Sequence, residues 1–145
     1  MRKLSKKDAA SHLLDAAISA LLDRGDAVAA IVLGGASEDI FAGLLKREGR
    51  ELEGARQEMI LTIREFVALE NPGAPPMAEK DGHDMLRGVF NWLRHNDRED
   101  DAQEMRLDFR LEAAAIVERA AENRFRLDGI DHPRMAELLA LFRQR

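Results

Sequence analysis

Four polar residues in the segment 81–95, DGHDMLRGVFNWLRH, have types and a spacing suited to acid–base chemistry. Intervals of three, four and four positions would place them along one face of a helix: Asp84, Arg87, Asn91 and His95. A histidine can transfer a proton near neutral pH, and an arginine can stabilise negative charge that develops on a phosphate. Arg87, Asn91 and His95 are therefore the candidate catalytic residues.

Two interpretations of the same stripe involve no catalysis. Buried polar side chains need hydrogen-bond partners, so Arg87, Asn91 and His95 would in one case form a network that fixes the helix register. In the other case the segment binds a ligand or a partner protein, and the candidate contacts are Asp84, Arg94 and Trp92. The sequence leaves the three interpretations open.

Apolar residues occupy the rest of the circumference of this segment. The band is wider than a surface helix usually carries: Met85, Leu86, Val89, Phe90, Trp92 and Leu93. We therefore predict that the helix lies inside the fold and is buried on two sides. Since one core cannot easily cover so wide a band, the same feature predicts a homodimer.

Helical periodicity recurs along the whole chain, whereas strand signals are missing. Alternating β-branched runs are absent, and no Asn-Gly or Asp-Gly pair joins two strand-like segments. Caps and apolar spacing predict helices over residues 5–24, 26–48, 51–69, 81–95 and 108–127, with a short last helix from about 131. The expected fold is all-α: a single-domain antiparallel bundle of about five to six helices over residues 1–145.

Two features leave the course of the chain open. The Gly34-Gly35 pair could break the second helix, because each glycine costs roughly 1 kcal/mol relative to alanine and Ser37 could cap a new helix. We predict continuity, since an apolar face extends across the pair, and we expect the glycines to let another helix approach closely. The proline-rich segment 71–76 and the acidic segment 96–101 are predicted to be loops.

Composition narrows the classes of function. The net charge of -5 disfavours a general nucleic-acid binder, although four basic residues cluster at the N-terminus: Arg2, Lys3, Lys6 and Lys7. The chain has no cysteine, and its longest uncharged run is far shorter than the ~20 residues of a membrane span. We expect a cytoplasmic protein without membrane attachment. No Glu-x-x-His or H-E-x-x-H pattern occurs, so no metal site and no cofactor are predicted.

The stretch 91–96, NWLRHN, resembles a motif, R-N-[FW]-[FL]-K-H-A, that precedes an acidic loop in a family of small, uncharacterised bacterial all-helical proteins. The resemblance extends to residues 14–17, 26–28, 33–36 and 124–129. Where that family tends to have a histidine and a threonine in its second helix, this chain has Ile31 and Val32. The resemblance implies a helical bundle and no particular activity.

The chain is more remotely similar to HEPN domains, helical bundles that often dimerise. Ribonuclease members of that class carry an arginine, four to six residues, and then a histidine, whereas seven residues separate Arg87 from His95 here. The similarity implies an alternative function, metal-independent RNA cleavage by Arg87, Asn91 and His95. In it the histidine would move the 2′-hydroxyl proton, and the arginine would stabilise the charge on the phosphorane.

The leading prediction for the function is not the ribonuclease. The wide apolar band favours a non-enzymatic interaction or ligand-binding module that acts as a homodimer, with a protein or a small molecule as a further partner. Nucleic acid is an expected partner only under the ribonuclease alternative, where it would be RNA.

Overall fold

Six α-helices make up most of the computed structural model, which describes residues 1–95 and 103–144. They are α1 (Lys6–Leu22), α2 (Ala27–Arg47), α3 (Ala55–Glu70), α4 (Glu79–Arg94), α5 (Phe109–Asp128) and α6 (Met135–Ala140). Short 3₁₀ turns occupy Glu51–Glu53 and Leu141–Arg143, and these described ranges contain no β-strand. The predicted all-α helical bundle is confirmed. The predicted acidic loop over 96–101 lies outside the described residues.

Local capping sets where three of the helices begin. Each cap accepts a hydrogen bond from the backbone N–H three residues further on, at 3.0 or 3.1 Å: Ser5, Asp26 and Asp108. Each bond satisfies one N–H of the first turn, which has no partner within its helix. Gly129 ends α5 in the left-handed conformation, with φ of 72°. These starts and the end of α5 agree with the sequence prediction to within two residues.

Two helices begin later than predicted. The predicted third helix started at residue 51, but Glu51–Glu53 forms a 3₁₀ turn and Gly54 is extended, so α3 begins at Ala55. The last helix was predicted from about 131 and begins at Met135. In the turn before it, His132 Nδ1 accepts the backbone N–H of Arg134 at 3.1 Å. The other ring nitrogen of His132 lies 2.9 Å from Asp15 Oδ1 on α1.

Three long helices, α1, α2 and α5, form the centre of the core. The link between α1 and α2 spans only residues 23–26, and Ser37 in the middle of α2 donates a hydrogen bond to the Ala10 carbonyl near the start of α1, so the chain direction reverses. Gly34 lies against Val117 near the middle of α2 and α5, and Leu44 and Leu127 line one surface pocket towards their ends. α2 and α5 therefore run in the same direction, and α1 runs opposite to α2.

Within the described residues, α2 is also the helix whose length and mean hydropathy of 1.7 would suit a membrane span. Ile31, Phe41 and Leu45 of α2 are completely buried against the neighbouring helices. A buried core helix passes the same test of length and composition, so this feature is weak evidence for a membrane segment.

The glycine pair in α2 lies within one continuous helix, as predicted. A Cβ on Gly35 would lie 2.3 Å from the Phe90 ring of α4, and a Cβ on Gly34 would lie 2.9 Å from the Val117 side chain of α5. Both distances are far below van der Waals contact. The glycines therefore let α4 and α5 approach the α2 backbone, which confirms the prediction of a close approach.

We expect Gly35→Ala to lower the free energy of unfolding by about 1–3 kcal/mol, because the added methyl group overpacks the contact with Phe90. Gly43→Ala is the matched control in the same helix, since a Cβ there meets no atom within 4 Å. The control should raise the free energy of unfolding by up to about 1 kcal/mol through helix propensity. Urea unfolding monitored by circular dichroism measures both. Equal effects of the two substitutions would contradict the close contact.

Candidate functional site

The α4 helix lies at the edge of the core, and the prediction that it is buried on two sides is wrong. Only Gly82 and Phe90 are buried in α4, and Met85 is 57% exposed. A Cβ on Gly82 would lie 2.8 Å from Ile60 of α3, so α4 approaches α3 closely as well as α2. These close approaches hold α4 through one side. Apart from buried Phe90 and exposed Met85, the large apolar side chains of α4 are half-buried.

The predicted polar stripe does not come together as one site. Arg87 reaches across to α2, where its Nη2 lies 2.5 Å from Asp39 Oδ2. Asp84 is exposed and pairs with Lys80 one turn earlier in the same helix. His95 follows the last residue of α4 in extended backbone, with φ of -127° and ψ of 142°, and is exposed. His95 is therefore not on the helical face that carries Arg87, because the helix ends one residue before it.

The remaining candidates lie in the last turn of α4. Asn91 and Trp92 are half-buried, and Arg94 is exposed. The guanidinium carbon of Arg94 lies 4.7 Å from the centre of the Phe90 ring, and that of Arg87 lies 5.2 Å from it. Both distances suit cation–π contacts with a buried ring. These arginines thus contribute to packing.

Arg87 belongs to a group of charged residues that joins four helices, which we call the buried charge cluster: Glu38, Asp39, Arg56, Arg87 and Arg119. The Glu38 carboxylate is 2% exposed and accepts hydrogen bonds from Arg56 Nη1 at 3.1 Å and Arg119 Nε at 3.2 Å. Asp39 accepts a bond from Arg56 at 3.2 Å in addition to that from Arg87. Two carboxylates of α2 thus hold one arginine each from α3, α4 and α5.

Polar contacts beside the buried charge cluster extend it to the backbone. Arg119 Nη2 donates to the Leu86 carbonyl of α4 at 3.2 Å. Asn123 of α5 is completely buried, and its side-chain oxygen accepts the backbone N–H of Ala55 at 2.7 Å. Its side-chain nitrogen donates to the Glu38 carbonyl at 3.4 Å. α3 is therefore capped by a side chain from another helix.

The electrostatics of Arg87 argue against a role in proton transfer. Burial lowers the pKa of its guanidinium, the charge on Asp39 opposes this shift, and the charge on Arg56 adds to it. An arginine stays protonated at any pH at which the protein is folded. Arg87 therefore contributes only its positive charge, and Asp39 already compensates that charge.

A polar pocket of about 280 Å³ opens beside the buried charge cluster. Its lining mixes cations, carboxylates and neutral groups: Asp39, Lys46, Glu51, Arg56, Gln57, Glu79 and His83. Gln57 Nε2 donates to Glu79 Oε1 at 2.9 Å, and His83 Nε2 lies 3.7 Å from the same oxygen. The hydrogen bond from Gln57 holds the pKa of Glu79 below its usual value. The lining groups thus largely satisfy one another.

Among the residues that the structure describes, no three histidine, aspartate or glutamate side chains lie close enough together to hold a metal ion. No known protein family, curated protein or solved structure matches the chain. The functional proposal is therefore based on the geometry of the described residues.

Helical periodicity alone did not identify Glu38 as the centre of the buried polar network. A signal for it exists, because Glu38 lies seven positions after Ile31 and seven before Leu45, on the buried face of α2. A carboxylate at the spacing of a buried face requires a buried cation. The sequence does not indicate which arginine supplies it.

We expect Glu38→Gln to lower the free energy of unfolding by about 3–5 kcal/mol, because Arg119 is left buried without its counter-ion. Glu48→Gln is the matched control, since Glu48 is exposed and pairs with Arg50 at 3.1 Å on the surface. An exposed pair contributes little to stability, because water and salt screen its charges. Chemical unfolding of both variants checks this, and an equally small effect of the two would show that the buried charge cluster is dispensable for stability.

Proposed function

We propose that this protein is a cytoplasmic, non-enzymatic interaction module that forms a homodimer through an exposed apolar face of α3. The observation that carries the proposal is the poor burial of this helix. α3 has 16 residues and buries only Ile60, whereas four of its large apolar side chains are exposed by 36–79%: Met59, Leu61, Phe66 and Leu69.

Three residues give this surface a regular geometry. Met59, half-buried Ile63 and Phe66 follow one another at intervals of four and three positions, so they form a stripe along one side of α3. Phe66 is 62% exposed, and Met59 is 44% exposed. Contiguous apolar patches on folded proteins commonly mark interaction sites. We call the surface of Met59, Ile63 and Phe66 the α3 stripe.

A second copy of the chain is the occupant that the α3 stripe suits best. A two-fold interface requires a surface that is complementary to itself. If two copies of α3 pair antiparallel about a point between residues 62 and 63, Met59 of each copy lies opposite Phe66 of the other. The apolar groups would then meet along the contact, and the charged residues would stay at its edges.

We expect Phe66→Glu to convert the dimer to a monomer, because each interface would then bury two unpaired carboxylates. Phe125→Glu is the matched control: Phe125 is 47% exposed on α5 and lies outside the α3 stripe. Size-exclusion chromatography with light scattering over a range of concentrations measures the mass of both variants. The proposal fails if the unsubstituted protein stays monomeric at high concentration, or if both variants stay dimeric.

The ribonuclease alternative stays a prediction that receives little support from the geometry. Arg87 is paired with Asp39, and His95 lies in exposed extended backbone beyond α4. We expect RNA incubated with the purified protein in EDTA to remain intact. Cleavage that is lost in His95→Ala would overturn this expectation and restore the alternative.

A further inference from the structure

A groove of about 550 Å³ lies between α3 and α5. Its α3 side is partly apolar, with Met59 and Ile63 four positions apart, and its α5 side carries Glu118 and Glu122, also four positions apart. Side chains four positions apart on a helix repeat about every 6 Å along its axis. The side chains on both walls are therefore spaced like those along one face of a helix that would lie in the groove.

The charges already present leave one carboxylate of this groove uncompensated. Arg126 pairs with Glu58 at 2.7 Å and with Glu122 at 2.9 Å, so one cation serves two carboxylates. Arg119, the other arginine of the groove, is engaged in the buried charge cluster. Glu118 is half-buried and forms no ion pair with any residue that the structure describes.

The surroundings of Glu118 support the need for an external cation. Burial raises the pKa of its carboxyl group, the charge of Glu122 raises it further, and the charge of Arg119 partly opposes the shift. A half-buried carboxylate without a counter-ion is unfavourable, and a lysine or arginine from a binding partner would stabilise it.

We propose that the groove between α3 and α5 binds an amphipathic helix with basic residues, supplied by a partner protein. The apolar side of that helix would pack on Met59 and Ile63, and one of its cations would pair with Glu118. Binding of an amphipathic helix in such a groove is a common mode of peptide recognition. The inference rests on the proposed function as an interaction module, and it names the partner chemistry of a site that shares Met59 and Ile63 with the α3 stripe, so that a partner helix and a second copy of the chain compete for these two residues.

A synthetic peptide tests this proposal directly. The probe is a fluorescein-labelled helical peptide with leucine on one face and lysine on the other, and its counterpart has glutamate in place of lysine. At physiological ionic strength, where long-range attraction is screened, fluorescence anisotropy should show binding of the lysine peptide only. Glu118→Lys should weaken that binding at least about tenfold, because it places like charges in contact.

Asp131→Lys is the matched control, because Asp131 is exposed and lies outside the groove, while the change in net charge is the same. It should retain the affinity of the unsubstituted protein. Glu118→Gln, which adds no positive charge, should give an intermediate loss even if Glu118→Lys fails to fold. Equal weakening by Asp131→Lys and Glu118→Lys would mean general electrostatic attraction only and would overturn the proposal, as would the absence of any binding to the Phe66→Glu monomer, in which no second copy covers the groove.

The dimer and the groove can fail separately. Phe66 does not line the groove, so Phe66→Glu should still bind the lysine peptide even as a monomer. Glu118→Lys should still be a dimer in light scattering. A monomeric unsubstituted protein that binds the peptide would contradict the proposed homodimer alone, whereas a Phe66→Glu monomer that does not bind it would contradict the groove alone.

Discussion

One buried carboxylate, that of Glu38, constrains how the outer helices attach to the core. A carboxylate taken out of water is strongly unfavourable unless cations and hydrogen bonds surround it. Arg119 of α5 and Arg56 of α3 supply them directly, and Asp39 beside it recruits Arg87 of α4. The two carboxylates of α2 find all of their counter-ions only when α3, α4 and α5 meet at the middle turns of α2. The buried charge cluster therefore selects one arrangement of helices, which apolar packing alone would specify less sharply.

The attachment of α3 and α4 by few contacts explains why so much apolar surface stays exposed. α4 is held by two close contacts. The Phe90 ring of α4 packs on Gly35 of α2, and Gly82 of α4 packs on Ile60 of α3. α3 is held near its N-terminus by the cap from Asn123 and by the burial of Ile60. The C-terminal half of α3 buries no residue, so Phe66 and Leu69 remain exposed. The interaction surfaces proposed above follow from this mode of attachment.

The sequence predicted the features that depend on neighbours along the chain. Ser5, Asp26 and Asp108 cap helices because a cap involves only the next three residues, and Gly34-Gly35 stays helical because apolar residues flank it on one face. Periodicity could not place α4, since it shows which side chains are apolar but not how many neighbours cover them. It also could not find the pairing of Arg87 with Asp39, because 48 positions separate these residues and nothing local links them.

The predicted polar stripe did not form as one helical face for a related reason. A stripe over 84–95 assumes that the helix includes His95, but α4 ends at Arg94, and helix ends are the least certain part of any assignment from sequence. His132 shows the same limit, because its bond to Asp15 on α1, 117 positions away, accompanies the late start of α6. Residues whose roles depend on distant partners could be recognised only once the fold was known.

Hydrogen exchange followed by mass spectrometry, at low and at high protein concentration, tests the central claim that the exposed half of α3 is an interface. In dilute protein the amides of residues 58–70 should exchange faster than those of α1 and α2, because little packing covers them. At high concentration the same amides should become protected while α1 and α2 stay unchanged. Exchange over 58–70 that is independent of concentration, or already as slow as in α2 when the protein is dilute, would contradict the account.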